Sequence, residues 1–166
     1  VTNAATSPGA ALILATTTNS AEQNWLASQP AVIPDAYYAL DGNALDDSYH
    51  GNDGTPGASA TNYVAGRSGG QAMQFNGMDS YVQVPRSIGA GNGFSAAFWM
   101  KTTSPGNLGA TWFVGTGLVD GDVNGLANDF GVSLLNGKVA FGVGNPDTTL
   151  QSTVTVNDGQ WHHVAV

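Results

Sequence analysis

Aspartate carries most of the polar chemistry available to this chain. Eleven of its 12 acidic residues are Asp, and the one Glu is Glu22. Asp41, Asp46, Asp47 and Asp53 fall in one short region with Asn43 and Asn52 between them. A flexible loop offering carboxylate, amide and carbonyl oxygens is what Ca²⁺ requires. The same residues also make Asx turns in a solvated loop without any metal, and the sequence leaves both readings open. A second group, Asp120-Gly121-Asp122-Val123-Asn124-Gly125, matches the opening of an EF-hand loop. Its twelfth position is Gly131 instead of a bidentate Glu, Asp129 is the only nearby acid, and no helical pattern flanks it. An acidic hairpin tip is the favoured reading there, and a looser Ca²⁺ loop of Asp120, Asp122, Asn124 and Asp129 the second.

Other chemistries have weaker signals. Glycoside hydrolysis usually needs two carboxyl groups flanking the scissile bond, and nothing in the spacing sets up such a pair. Gly66-Arg67-Ser68-Gly69-Gly70 fits G-x-S-x-G, but a nucleophile elbow needs a strand before it and a helix after it. His162 and His163 are adjacent, so on a strand they point to opposite faces and do not chelate one ion together. Aromatic rings suit sugar stacking. Trp99, Trp112, Tyr49 and Tyr63 are the candidates, each weighed against an ordinary place in a β core.

The elements that must position these residues are short strands between turn signals. Tyr37 to Leu40 reads as one. Ala72 to Phe75 and Tyr81 to Val84 flank Asn76-Gly77 as a candidate hairpin. Along Phe94 to Lys101, period two places Phe94, Ala96, Phe98 and Met100 on a core face and Trp99 on the opposite one. Asn136-Gly137, between Val132–Leu135 and Lys138–Phe141, suits a type I′ turn. Many strands at short spacing predict an all-β sandwich or barrel. Residues 1–34 differ in composition and read as a linker or the tail of a preceding domain. A short helix is expected over Ala21 to Ala27 after the capping box Ser20-Ala21-Glu22-Gln23.

Composition narrows the function classes. The chain has 166 residues, 42% of them hydrophobic, a size that supports one domain with a real core. Only 10% are charged, and the net charge is −8. The bases Arg67, Arg86, Lys101 and Lys138 are scattered, which disfavours nucleic acid and anionic membranes as partners. No apolar run is long enough for membrane insertion. Cysteine is absent, so disulfides and thiol chemistry are excluded.

Five blocks in order resemble the bacterial laminin-G-like, concanavalin A-like jelly-roll family. They are Tyr38-Ala39-Leu40-Asp41-Gly42-Asn43 through Gly54-Thr55; Gly70 to Pro85, containing Phe75-Asn76-Gly77; Gly93 to Lys101; Asn128-Asp129-Phe130-Gly131-Val132-Ser133-Leu134; and Trp161-His162-His163-Val164-Ala165-Val166. Tyr49 departs from the pattern, because Gly is common there. The resemblance implies an antiparallel β-sandwich over 35–166 that is incomplete at its C-terminus, with the remaining strands supplied by another chain or chain segment. It also implies Ca²⁺ near the first block, so Asp41, Asn43, Asp46, Asp47 and Asn52 are the first candidate ligands and Ca²⁺ a structural cofactor. The glucanases of this fold carry E-x-D-x-x-E on one strand, and no such motif occurs here. The expected function is a non-catalytic, secreted or surface-exposed binding module for carbohydrate within a larger protein. Two alternatives stay open: an adhesive spacer, or one piece of a secreted polysaccharide-active enzyme.

Overall fold

A computed structural model describes residues 34–57, 59, 62–85, 93–122, 129–144 and 146–166. The expected linker, its helix and Asn124 lie outside the described residues. The chain divides into two compact units, Val1–Ala97 and Phe98–Val166. Among the described residues every extended element is a β-strand, and the only helical element is one 3₁₀ turn.

In the first unit β1 (Thr55–Pro56) pairs antiparallel with β4 (Val82–Gln83), and β2 (Asn62–Ala65) with β3 (Gln71–Gln74). This corrects the candidate hairpin around Asn76-Gly77. Both flanking strands exist, but they pair with other partners. The Asn76 side chain explains why. Its Oδ1 accepts from the N–H groups of Met78, Asp79 and Ser80 at 2.9, 3.1 and 3.1 Å, folding the connection on itself and not across a two-residue turn. Gly66 to Gly70 closes the β2–β3 hairpin, with Gly66 N–H on the Gly70 carbonyl at 2.7 Å, so the G-x-S-x-G match is a turn. Tyr37 to Leu40 is not a strand. It ends with Leu40 at φ +54° and is tied down by side chains of the following loop. Ala44 and Met73 form a small core here with Leu40, Tyr63 and Val82.

The second unit is a two-layer arrangement. β6 (Thr116–Asp120), β7 (Phe130–Leu135), β8 (Lys138–Val143) and β9 (Thr148–Thr155) form an antiparallel sheet in that order. β5 (Ala97–Lys101) pairs with β10 (Trp161–Ala165). Met100 of β5 and Val164 of β10 meet Val132 and Leu134 of β7, Val139 of β8 and Val156 in one buried cluster, with Phe98 packed against it. The period-two reading of β5 therefore holds, although the strand is shorter than Phe94 to Lys101. The β7–β8 turn also holds. Asn136 and Gly137 have φ +55° and +77°, as a type I′ turn needs.

The other face of the β6–β9 sheet is covered by the 3₁₀ turn Trp112–Val114. Trp112 is 2% exposed and joins Leu135 and Ala140 in a separate core cluster. Its indole lies over Gly131 and Gly142, where a Cβ on either glycine would overlap the ring. Ser133 Oγ donates to the Trp112 carbonyl at 2.7 Å, and Trp112 N–H donates to Thr149 Oγ1 at 3.0 Å.

Candidate functional site

In the first candidate group the carboxylates bind the chain's own backbone. Asp46 is 9% exposed. Its Oδ1 accepts from Tyr37 N–H and Ser48 N–H, both at 2.9 Å, and its Oδ2 from Asn52 N–H at 3.0 Å. Burial pushes this carboxyl up, but the Ser48 hydroxyl and the three N–H groups outweigh it and hold the group well below the usual carboxylate range. Asp53 Oδ1 accepts from Asp46 N–H at 2.9 Å, Asn43 Oδ1 from Leu45 N–H at 2.9 Å, and Asp41 Oδ1 from Gln71 N–H at 2.8 Å. Asn52 Nδ2 donates to the Asp35 carbonyl at 2.8 Å, while the Asp47 side chain is exposed. The Tyr38 hydroxyl donates to the Asn52 carbonyl, and burial followed by the charges of Asp46 and Asp53 pushes its pKa up to about 12. The region is a loop organised around Asp46, in which Asn43 and Asp46 make Asx turns to the N–H groups of Leu45 and Ser48.

Tyr49 stands at the tip of that loop, 96% exposed, with φ +69°. This left-handed conformation explains why its position suits Gly. Tyr63 lies on β2, half-buried against the small core, and not in a loop. Trp112 is enclosed in the sheet's second face, so it offers no ring to a ligand; its place in a 3₁₀ turn gave no periodic signal.

The second candidate group behaves differently. Asp129, 7% exposed, enters β7, and Gly144 N–H binds its carbonyl at 3.0 Å. Its Oδ1 is buried and, among the described residues, has no hydrogen-bond partner. Asp122 is exposed to solvent, but its carboxyl is raised from the ordinary value. Partial desolvation comes first, then a hydrogen bond to Asp129 and the charges of Asp129, Asp120 and Asp147. Asp120, Asp129 and Asp147 thus all act on Asp122 at this end of the β6–β9 sheet. Asp147 was not legible beside the others, because β7 and β8 intervene in the chain. Among the described residues no three His, Asp or Glu side chains converge closely enough to hold an ion by themselves. A cation here would take the Asp122 and Asp129 carboxylates and fill its shell with backbone oxygens and water, a ligand set that Ca²⁺ accepts. The orphaned Asp129 oxygen fits that role.

Trp99 is 37% exposed on the face of β5 turned away from the core. Its ring sits against His163 of β10, with centroids 5.0 Å apart and planes tilted by 49°. His162, on the other face, places Nε2 2.8 Å from Asp158 Oδ1. The two imidazoles thus part as adjacent strand residues do.

These strands and sites coincide with a family model. Residues 75–166 match the laminin-G-type model described as concanavalin A-like lectin/glucanases superfamily. The chain belongs to this superfamily. No curated protein and no solved structure matches it. Membership accounts for the all-β architecture, and a superfamily of lectins and glucanases is compatible with a binding module. The match covers β4 to β10 together with both Trp99 and the Asp120–Asp147 group. Ligands differ widely among proteins sharing one fold, so the site residues have to carry any finer reading.

Proposed function

We propose that this superfamily member is a carbohydrate-binding module of a larger secreted or surface protein. The observation that carries the reading is the exposed indole of Trp99. It stands on a paired-strand surface with the His163 ring tilted beside it. An indole face in that setting matches the apolar face of a pyranose, and a ring held in place loses little entropy on binding. A glycan panel should show binding by the chain and at least a tenfold loss for Trp99→Ala, with the melting temperature little changed. A flat panel together with a large protein interface would favour the spacer instead.

We further propose a structural Ca²⁺ between Asp122 and Asp129. Removing a partner for a buried carboxylate oxygen is costly, and a cation supplies one. After chelator treatment, added Ca²⁺ should give binding heat and raise the melting temperature, by about 2.7 kcal/mol of added stability at 100-fold excess over Kd. Asp129→Asn should abolish both responses. Absence of heat and of a thermal shift in the unsubstituted chain would remove the metal from the account.

A further inference from the structure

Two Asn-Gly dipeptides lie whole among the described residues, Asn76-Gly77 and Asn136-Gly137. Such a pair can react with itself. The backbone nitrogen of the glycine lies close to the Asn side-chain carbon by covalent connection, and glycine has no Cβ to obstruct the attack. The fold sets the two pairs apart.

Asn76 Oδ1 accepts from the Ser80 hydroxyl at 2.9 Å as well as from the N–H groups of Met78, Asp79 and Ser80. Its Nδ2 donates to Asp79 Oδ1 at 2.6 Å, which fixes the amide with its oxygen toward those donors. Gly77 N–H is passed over by this arrangement and makes no hydrogen bond among the described residues. Both residues of the pair are exposed, so water reaches them. Asn136-Gly137 is arranged the other way. Gly137 N–H donates to the Pro105 carbonyl at 2.6 Å, so the nitrogen that would attack is already held. Asn136 Nδ2 donates to the Gly109 carbonyl at 2.8 Å, and its Oδ1 takes only the Gly109 N–H, at 3.3 Å. Attack on an amide carbon moves negative charge onto its oxygen. Donors already aimed at that oxygen stabilise the charge as it develops, as an oxyanion hole does. Asn76 has such a set, beside a free nucleophile.

We infer that Asn76 is a site of self-catalysed modification, where the Gly77 nitrogen closes a succinimide on the Asn76 side chain and releases ammonia. A base in the solvent takes the Gly77 proton, and the nitrogen bonds to Cγ. The Cγ–Nδ2 bond then breaks, its electron pair leaves on Nδ2, and Nδ2 takes a proton from water. A second water adds to one of the two ring carbonyls and leaves an aspartyl or isoaspartyl residue there. The new carboxylate faces Asp79 where the amide had donated, so like charges meet and the loop between β3 and β4 loses that tie.

The test incubates the 166-residue chain in mildly alkaline buffer, folded and in urea, and follows both Asn residues by peptide mapping with mass spectrometry. The unfolded chain gives the two pairs a common baseline. In the folded chain Asn76 should convert about tenfold faster than in urea, because donors to the developing oxyanion are in place. Asn136 should fall below its unfolded rate. Ser80→Ala should slow conversion of Asn76, and Ser80→Thr, which keeps the hydroxyl, should restore it. Asn76 converting no faster folded than unfolded, Asn136 keeping pace with it, or Ser80→Ala reacting at the parent rate would overturn the inference.

Discussion

Trp112→Ala is expected to destabilise the second unit by about 3–5 kcal/mol, the usual range for deleting a buried aromatic ring. Trp112 covers that face of the β6–β9 sheet among the described residues of the second unit, and its ring occupies the space left by two glycines, Gly131 and Gly142. Strand residues around it cannot close the gap, because β7 and β8 are fixed by pairing on both sides. The buried indole N–H has no acceptor among the described residues, which lowers the net gain from this residue but does not replace the lost packing. Urea unfolding should show a lower midpoint with the slope unchanged. The reciprocal substitution Gly142→Ala should also destabilise, by roughly 1–3 kcal/mol or more, because the new Cβ overlaps the indole. A Trp112→Ala variant as stable as the parent would show that the turn is not seated on the sheet.

Asp46→Asn is expected to cost about 2–4 kcal/mol, because charge-assisted hydrogen bonds to three N–H groups are weakened and the amide turns a donor toward one of them. The sign of the pH dependence follows from the direction of the shift. The folded-state carboxyl lies below its unfolded value, so its contribution is complete above the unfolded pKa of about 3.9 and is lost as pH falls from there toward the folded value. Unfolding free energy of the parent should therefore drop in acid below about pH 4, and Asp46→Asn should flatten that drop. Tyr38 acts at the opposite end. Its raised pKa means that its contribution is complete below about pH 10 and declines as pH rises toward 12. An acid limb identical in parent and variant would show that Asp46 does not organise the loop.

How much of this was legible depended on whether the information is local. The β7–β8 hairpin was, because Asn136-Gly137 alone meets the need for two positive φ angles. The sidedness of β5 was, because alternation places Met100 inside and Trp99 outside whatever the partner strand. The Asn76-Gly77 hairpin was misread because the same dipeptide can cap its own loop. Strand partners set by the rest of the fold, such as Tyr63 for Met73 and Thr55 for Gln83, leave no mark at that turn. Among the site residues, the acidic groups were visible as composition. Their fates were not. Asp46 spends its oxygens on N–H groups contributed by Tyr37 and Asn52, whereas Asp129 keeps one oxygen without a donor among the described residues, and only the fold separates the two. His163 became relevant for a similar reason: pairing of β5 with β10 sets it against Trp99.

The central claim is that sugar meets the chain at the outer face of β5. Its most direct test is an NMR titration that follows the indole N–H signals of the 4 tryptophans as the tightest-binding oligosaccharide of the glycan panel is added. The Trp99 signal should shift in a saturable way, with Trp161 following weakly and the enclosed Trp112 unmoved. Saturable binding that leaves Trp99 in place, or that moves Trp112 instead, would contradict the account.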